Sequence, residues 1–454
     1  MATDRTKHMT LWAAVSLGIG AMVGAGIFSL MGEAASMAGG LTPVVFALGG
    51  VVALIAGYSY GKLGARFPSA GGVVEYLVQA YGPGILSGGL SLFYYSSLVI
   101  GTAMVARAFG AYGSQLLGEG THRVAEPALA AGAVVALTLV NVVGAAAVAP
   151  LEKAFVALKL TALGAFAVAG VVGVRPSLIA EAGSPGTWPV LSAVGITFFA
   201  YTGFGIITNA AEDMPDPSRT LPRAIFLAIG IVIALYVVLA IVVLGNLPLA
   251  EIVAGQDTVL ARAAQPVFGA AGFTIMAVAA VLSTSSTINA SVYGALNISY
   301  LLAKYGQLPR PFQRRVWKGG TEGLVLTAGL MVALAVWMQL ATIAAAAGAA
   351  ALLLYLAVQW GHLDLAAETG ADRRLLWLGV AATAAVAGIF MIYSWTVEPL
   401  RVVVVVVFLA GSFAAEWGLQ RWRRRVIGTR FPLRPHLRER LGRIERRIGA
   451  RRGA

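Results

Sequence analysis

The chain lacks cysteine and is poor in charge and in histidine. Without cysteine it can form neither disulfides nor thiolate metal sites, and it has no thiol nucleophile. Only 12% of its 454 residues are charged, whereas 58% are hydrophobic. The four histidines are scattered, at His8, His122, His362 and His436, and no two have the spacing of metal ligands. These absences argue against a soluble domain and a metal centre, and no residue pattern indicates an enzyme or a bound cofactor.

The net charge of +13 is concentrated at the C-terminal end. From Arg421 onward there are 13 Arg and two Glu, which leaves 20 basic and 18 acidic residues for the rest of the chain. Within this tail, Leu437, Leu441, Ile444 and Ile448 form one helical stripe surrounded by arginines. The pattern predicts that residues 421–454 lie on anionic lipid rather than bind nucleic acid. Disorder and a helix that binds a partner protein are the alternatives.

Recurring apolar segments of about 20 residues predict an all-α polytopic membrane protein with 12 transmembrane helices. The segments lie at 12–37, 41–61, 86–117, 126–146, 151–173, 191–211, 222–246, 267–302, 322–340, 342–362, 375–395 and 399–420. The first segment is too long for a cleavable signal peptide.

The distribution of basic residues between the connections predicts the orientation. One set of connections holds 14 Lys and Arg in addition to those of the tail. The other set holds only Arg107, Arg123, Arg175, Arg262 and Arg401. The positive-inside rule therefore places both termini in the cytoplasm, with the chain spanning the inner (plasma) membrane.

Glycine clusters interrupt the first and sixth apolar segments. They comprise Gly18, Gly20, Gly24 and Gly26 in the first, and Gly203 and Gly205 in the sixth. Each glycine costs a helix up to about 1 kcal/mol relative to alanine, and a bilayer tolerates unwound backbone only where it is buried in protein or lines a cavity. Close packing of small residues between helices is the alternative interpretation of each cluster.

Two broken segments that lie five apart and run in opposite directions predict an inverted five-plus-five repeat, as in secondary transporters. The predicted repeats span 12–173 and 191–362, with 375–420 as two added helices. Residues 1–11 then form a cytoplasmic N-terminus and 421–454 a cytoplasmic tail.

The ends of broken helices can hold an amino acid zwitterion. The backbone N–H groups that we predict to bind its carboxylate are those of Val23, Gly24, Ala25 and Gly26. The carbonyls that we predict to accept from its ammonium are those of Met22, Phe199, Ala200 and Thr202. Since no acidic side chain is needed at these positions, neutral amino acids are favoured over polyamines and arginine.

Four stretches, in order along the chain, resemble the amino acid–polyamine–organocation (APC) superfamily of transporters with the LeuT-type fold. They are GAMVGAGIF at 20–28, RFPSAGG at 66–72, FFAYTGF at 198–204 continuing to EDMPDP at 212–217, and SSTIN at 285–289. Within the superfamily the chain is most similar to archaeal and bacterial proton-coupled permeases of broad specificity. Many of these relatives have an acid where Gly205 stands, so a mechanism that uses that acid does not transfer.

The resemblance implies roles for several side chains. Phe199 matches the aromatic gate that closes over substrate, although an ordinary packing role is the alternative. The side-chain pocket would be bordered by Ser97, Gly101, Met104 and Tyr201.

Lys159 lies about 12 Å into the fifth segment at 1.5 Å per residue, where charge is expensive and usually functional. A matching lysine replaces the sodium ion in proton-coupled relatives, and desolvation can lower a lysine pKa enough for proton exchange. We therefore predict that Lys159 is the proton-coupling residue. Its predicted neighbours are Ser283, Ser286 and Thr287. The alternatives are a lysine that reaches the cytoplasmic interface and one that stays charged in place of sodium.

The sequence therefore predicts a transporter that imports neutral amino acids with broad specificity by alternating access. The coupling ion is the proton, and neither sodium, a metal nor a cofactor is expected. The expected partners are the amino acid substrate and the lipid bilayer. A sodium-independent amino acid exchanger is the first alternative, and a transporter-like sensor that signals through the basic tail is the second.

Overall fold

A computed structural model describes residues 9–69, 71–117, 122–143, 149–304, 307–308, 310–314, 321–423 and 437. Every secondary-structure element of this part of the chain is helical. Ten of its helical stretches are long and apolar enough to cross a membrane, and Leu11–Gly24 and Glu322–Trp337 are shorter apolar helices. The prediction of an all-α polytopic membrane protein is confirmed.

The first half of the chain contains eight α-helices. They are α1 (Leu11–Ala25), α2 (Ile27–Ala38), α3 (Thr42–Arg66), α4 (Val73–Tyr81), α5 (Ile85–Leu116), α6 (His122–Val143), α7 (Ala149–Val172) and α8 (Pro176–Glu181). The first predicted segment is the pair α1 and α2, here called membrane helix 1. A three-residue 3₁₀ turn, Gly39–Leu41, connects α2 to α3.

The second half continues with ten α-helices. They are α9 (Thr187–Tyr201), α10 (Gly205–Asn209), α11 (Pro217–Asn246), α12 (Leu249–Ala254), α13 (Val259–Phe268), α14 (Ala270–Lys304), α15 (Glu322–Trp337), α16 (Leu340–Thr369), α17 (Arg373–Val397) and α18 (Pro399–Arg423). The sixth predicted segment is the pair α9 and α10, here called membrane helix 6.

The two broken helices have symmetric packing partners. α1 of membrane helix 1 packs against α11, the seventh segment. Correspondingly, α9 of membrane helix 6 packs against α3, the second segment. The breaks of both helices are buried inside this four-segment arrangement, where apolar side chains shield interrupted backbone from lipid.

The last two helices are attached to the outside of this core. α17 packs against α9 and α16, and α18 packs against α5. At the predicted extracellular end, Arg401 of α18 forms an ion pair with Glu33 of α2 at 3.2 Å and with Glu398 at 2.9 Å. Glu33 is 8% exposed, so this ion pair connects α2 to α18 in a largely water-excluded position.

Leu437 of the basic tail contacts the helical bundle. It is 5% exposed and belongs to an apolar cluster with Val74, Val78, Leu92, Ile298 and Leu302. At this residue the structure differs from the predicted lipid contact, because the ends of α4, α5 and α14 offer a dry protein surface. The other residues of the predicted stripe lie outside the described residues.

Candidate functional site

Membrane helix 1 is broken at one residue, Gly26. α1 ends at Ala25 and α2 begins at Ile27. The Gly26 N–H still donates to the Met22 carbonyl at 3.1 Å, and the Gly26 carbonyl accepts from the Leu30 N–H at 3.0 Å. The break is therefore narrower than the predicted interval, residues 23–26, and the N–H of Gly26 is used within the helix.

Membrane helix 6 is broken over a longer interval. α9 ends at Tyr201, a 3₁₀ turn covers Thr202–Phe204, and α10 begins at Gly205. The Thr202 hydroxyl turns back and donates to the Phe199 carbonyl at 2.8 Å. The Phe199 carbonyl also accepts from the Thr202 backbone N–H, so one carbonyl at the end of α9 is bonded twice by the same residue.

Glycines allow the two breaks to lie directly against each other. A Cβ atom at residue 203 would lie 2.6 Å from the Met22 nitrogen. A Cβ atom at residue 26 would lie 2.7 Å from both the carbonyl oxygen and the Cβ of Ala200. One glycine of each cluster, Gly26 and Gly203, thus lets the two backbones approach at the break.

Tyr236 of α11 bonds both ends of the break in membrane helix 1. Its hydroxyl donates to the Met22 carbonyl at 2.8 Å, and the Ile27 backbone N–H hydrogen-bonds the same hydroxyl. The hydroxyl also lies 3.5 Å from the carbonyl of Ala200 in membrane helix 6. One phenol, fully buried, therefore contacts backbone groups of both broken helices.

Tyr355 of α16 contacts the break in membrane helix 6. Its hydroxyl donates to the Thr202 carbonyl at 2.9 Å. Its ring stacks on Tyr60, with centroids 4.6 Å apart, and packs edge-on against Phe204. These aromatic side chains are buried, so protein fills the space next to the break.

Lys159 lies beside the break in membrane helix 1. Its side chain is 1% exposed, and Nζ donates to the Gly20 carbonyl at 2.7 Å. A Cβ atom at residue 24 would lie 3.1 Å from the same Nζ and would overlap the hydroxyl of Thr287 in α14. Lys159 therefore joins α7 to α1 next to α14, and its ammonium points into the bundle instead of reaching the interface.

The predicted neighbours of Lys159 on α14 line the same region. Ser283, Ser286 and Thr287 are all buried, and the Thr287 hydroxyl donates to the Ser283 carbonyl at 3.1 Å. The hydroxyl of Ser283 has no hydrogen-bond partner among the described residues. Nearby on α14, Asn289 accepts from the amide of Asn141 in α6 at 2.8 Å, a bond between helices.

Of the residues predicted to form the gate and the side-chain pocket, Phe199 and Gly101 lie close together, whereas Tyr201 points to α3. The half-buried ring of Phe199 would lie 3.4 Å from a Cβ atom at Gly101 of α5, the glycine predicted to border the pocket. Met104 is fully buried on the same helix, and the Ser97 hydroxyl is bonded to the Tyr94 carbonyl at 2.7 Å. Tyr201 faces α3, where its hydroxyl donates to the Phe46 carbonyl at 2.8 Å.

The sequence analysis missed Tyr236 and Tyr355. Each is a tyrosine in the middle of a long apolar helix, and a buried phenol needs a hydrogen-bond partner. That requirement was a usable signal, since interrupted helices supply unpaired carbonyls in the same hydrocarbon layer.

A membrane helix bundle in which two broken helices meet beside a buried lysine has the architecture of a secondary transporter. The chain belongs to the amino acid permease family of the APC superfamily, because the family model for amino acid permeases matches residues 9–425. The predicted resemblance is confirmed. The chain is a membrane-spanning amino acid transporter and not an enzyme.

Individual relatives agree with this family. The chain is 40% identical over 355 residues to the inner membrane transport protein YbaT of Escherichia coli, covering 78% of this chain and 82% of that protein. It is 36% identical over 392 residues to an uncharacterized protein of Methanocaldococcus jannaschii, covering 86% and 90%. It is 27% identical over 308 residues to the serine/threonine exchanger SteT of Bacillus subtilis, covering 67% and 69%.

Proposed function

We propose that the chain imports neutral amino acids with broad specificity, driven by protons, through alternating access. The observation that carries the proposal is the position of Lys159, whose buried ammonium donates to the Gly20 carbonyl at 2.7 Å. An ammonium there supplies a positive charge beside the broken helix without a bound metal ion. Because a desolvated lysine can release its proton, the same group can exchange a proton during each cycle.

The substrate site that we propose lies between the two breaks. The substrate carboxylate binds the N–H groups at the start of α2, and its ammonium binds carbonyls at the end of α9. In the structure, tyrosine hydroxyls bond the carbonyls of Met22 and Thr202. Substrate binding at these carbonyls therefore requires that Tyr236 and Tyr355 share or give up these hydrogen bonds.

The preference for neutral substrates is supported by the residues near the breaks. The side chains nearest Gly24 and Gly26 belong to Ala200, Thr287 and Lys159. A second cationic group, as in a polyamine, would have to lie near Lys159 without a carboxylate to stabilise it. A single ammonium, balanced by the carboxylate of the same molecule, avoids this repulsion.

The orientation and location are part of the proposal. We infer from the distribution of Lys and Arg that the chain spans the inner (plasma) membrane with both termini in the cytoplasm. We further propose that the arginines of the tail meet the anionic lipid of the inner leaflet.

The test is uptake of labelled neutral amino acids into proteoliposomes, with and without an inward proton gradient. We expect the wild type to accumulate substrate only with the gradient. Lys159→Ala should lose accumulation but keep exchange of internal for external substrate, since the site between the breaks remains. Lys304→Ala, which removes an exposed lysine at the end of α14, is the matched control and should behave like the wild type.

A further variant separates proton exchange from a fixed positive charge. Arginine remains protonated in proteins, so Lys159→Arg should exchange substrate without gradient-driven accumulation. If the gradient does not change wild-type uptake, the proton-coupling proposal is wrong.

A sodium-independent exchanger is the second candidate, because one relative, SteT, is by name a serine/threonine exchanger. For that function Lys159 stays charged and replaces a cation permanently. Counterflow without net accumulation, unchanged in Lys159→Arg, would identify it.

A further inference from the structure

A polar cavity of about 240 Å³ lies apart from the two breaks, at the predicted extracellular end. Its walls are the C-terminal end of α5, the start of α6, and the connection between α11 and α14. Its polar lining consists of Ser114, Gln115, Glu126, Gln256, Asp257, Thr258 and Arg262. At about 30 Å³ per water molecule, the cavity has the volume of roughly eight waters, which suits a small amino acid.

Two carboxylates at the cavity share one guanidinium. Arg107 of α5 forms an ion pair with Glu126 at 2.7 Å, with both side chains less than one-fifth exposed. Asp257 has no ion pair with a described residue, although it lies close enough to Arg107 for an electrostatic interaction between the two side chains. Burial raises the pKa of Asp257, and Arg107 only partly offsets this effect. Since Glu126 holds the ion pair with Arg107, Asp257 is the carboxylate of this cavity that can receive a further cationic group.

Arg262 supplies the opposite charge on the same cavity. It is half-buried, and among the described residues it forms neither a hydrogen bond nor an ion pair. Its Nε is buried and has no acceptor in the part of the chain that the structure describes. A buried guanidinium donor without an acceptor is costly, so this side chain is suited to bind an anionic group that enters the cavity.

Two glycines allow close packing at the cavity, one beside Arg262 and one where the cavity meets membrane helix 1. A Cβ atom at Gly255 would overlap the Arg262 guanidinium, so glycine provides the room in which this side chain lies. A Cβ atom at Gly32 of α2 would overlap the backbone of Gln256, so the cavity connection rests directly on α2. The cavity is thus mechanically adjacent to the half of membrane helix 1 that faces the predicted extracellular side.

We propose that this cavity is a second binding site for a zwitterionic amino acid, outside the site between the breaks. Arg262 binds the carboxylate, and Asp257 together with Glu126 binds the ammonium. The ligand class rests on the amino acid transport proposed above, whereas the site itself rests on the two opposite charges that line one small cavity. At this position it receives substrate from the predicted extracellular side, next to α2, before the substrate reaches the breaks.

The test is equilibrium binding of radiolabelled alanine and leucine, each measured alone, to the purified full chain. We expect two molecules per chain for the wild type and one for Arg262→Gln and for Asp257→Asn. A charge-assisted hydrogen bond of this kind changes affinity by about tenfold or more. In proteoliposomes the same variants should raise the substrate concentration for half-maximal uptake and leave the maximal rate unchanged.

The control is Glu251→Gln, which removes an exposed acid from the same connection but does not line the cavity. It should bind two molecules. Propionate, which lacks the ammonium, and alaninamide, which lacks the carboxylate, should fail to displace alanine from the site that Arg262→Gln removes.

Two results would overturn the inference: a wild type that binds one molecule per chain, or variants that bind as many as the wild type. Displacement by propionate as effective as displacement by alanine would also overturn it, because the cavity would then be a simple anion site. In each of these cases proton-driven uptake that depends on Lys159 would leave the proposed transport function intact. A wild type that neither binds nor transports neutral amino acids would instead refute the transport proposal.

Discussion

At the scale of single residues, a few polar side chains add hydrogen bonds to the backbone next to the breaks. Tyr236 bonds the carbonyl of Met22 and the N–H of Ile27, and Lys159 bonds the carbonyl of Gly20. These side chains therefore stabilise the broken backbone as well as the substrate site.

Tyr236→Phe tests this role. The variant removes the hydrogen bonds of the phenol at both sides of the Gly26 break and should reduce the uptake rate by about fivefold or more, since each buried bond contributes about 1 kcal/mol. The measurement is the initial rate of uptake in proteoliposomes, with the thermal stability of the purified variant alongside.

The matched control for this prediction is Tyr201→Phe. Tyr201 is equally buried and also donates to a backbone carbonyl, that of Phe46 at 2.8 Å, but this carbonyl belongs to α3 and not to a broken helix. We expect a similar loss of stability with uptake retained. Equal loss of uptake in both variants would mean that Tyr236 acts only on stability.

The sequence predicted some of these residues and not others, for a physical reason. Lys159 was found because a charge in an apolar segment is conspicuous and costly. Tyr236 was not predicted, because a tyrosine in a membrane helix is common. Its role is visible only when its distance to the Met22 carbonyl is known. The partners of Arg262 and Asp257 depend on how distant segments pack, which no local pattern contains.

At the scale of helices, the glycine clusters predicted the two breaks but not their lengths. Membrane helix 1 departs from regular helix at Gly26 only and keeps both backbone hydrogen bonds of this residue, whereas in membrane helix 6 the whole turn Thr202–Phe204 separates α9 from α10. The difference depends on contacts between the helices, since Gly203 must accommodate the Met22 backbone. Segment boundaries, by contrast, follow composition and agree with the structure within five residues, except that α16 extends seven residues beyond the predicted end at 362.

Gly203→Ala tests the contact between the two broken helices. The added Cβ atom would lie 2.6 Å from the Met22 nitrogen, so a backbone must move. Such overpacking costs about 1–3 kcal/mol, and we expect roughly a tenfold loss of uptake together with a lower melting temperature.

Gly205→Ala, two residues further on, provides the comparison. Its Cβ atom would lie 3.4 Å from the Tyr355 hydroxyl, which can yield by a few tenths of an ångström. Uptake within about twofold of the wild type is expected. If both variants were equally active, close backbone contact would not be the reason for glycine at 203.

At the scale of the whole molecule, hydropathy and motif order were sufficient to predict the class of fold and the family. The predicted arrangement depends on segment number and direction, which the sequence contains, and the family match over residues 9–425 confirms the membership. The position of Leu437 could not be predicted, because its contacts come from helices more than 100 residues away in the chain.

A double-mutant cycle tests whether the tail docks on the bundle at Leu437. Leu437→Ala and Val78→Ala remove two side chains of one apolar cluster, so their effects on thermal stability should be non-additive by about 0.5 kcal/mol or more. Leu437→Ala combined with Val380→Ala, a residue of a separate cluster, should be additive. Additivity in both pairs would indicate that Leu437 does not contact the bundle.

Because the break in membrane helix 1 is confined to Gly26, α1 and α2 can rotate relative to each other about this one residue. The outer arm, α2, is fixed by its short link to α3 and by the ion pair of Glu33 with Arg401. The inner arm, α1, has 15 residues and is therefore about 22 Å long, so a rotation of about 10° at the hinge moves its free end by about 4 Å. Two hydrogen bonds along α1 oppose this rotation. The Lys159 ammonium donates to the Gly20 carbonyl, and at the free end the Met9 N–H donates to the Asp213 carbonyl at 3.1 Å. In the alternating access that we propose, opening towards the predicted cytoplasm releases the Met9–Asp213 backbone hydrogen bond and the lysine that we propose to carry the proton.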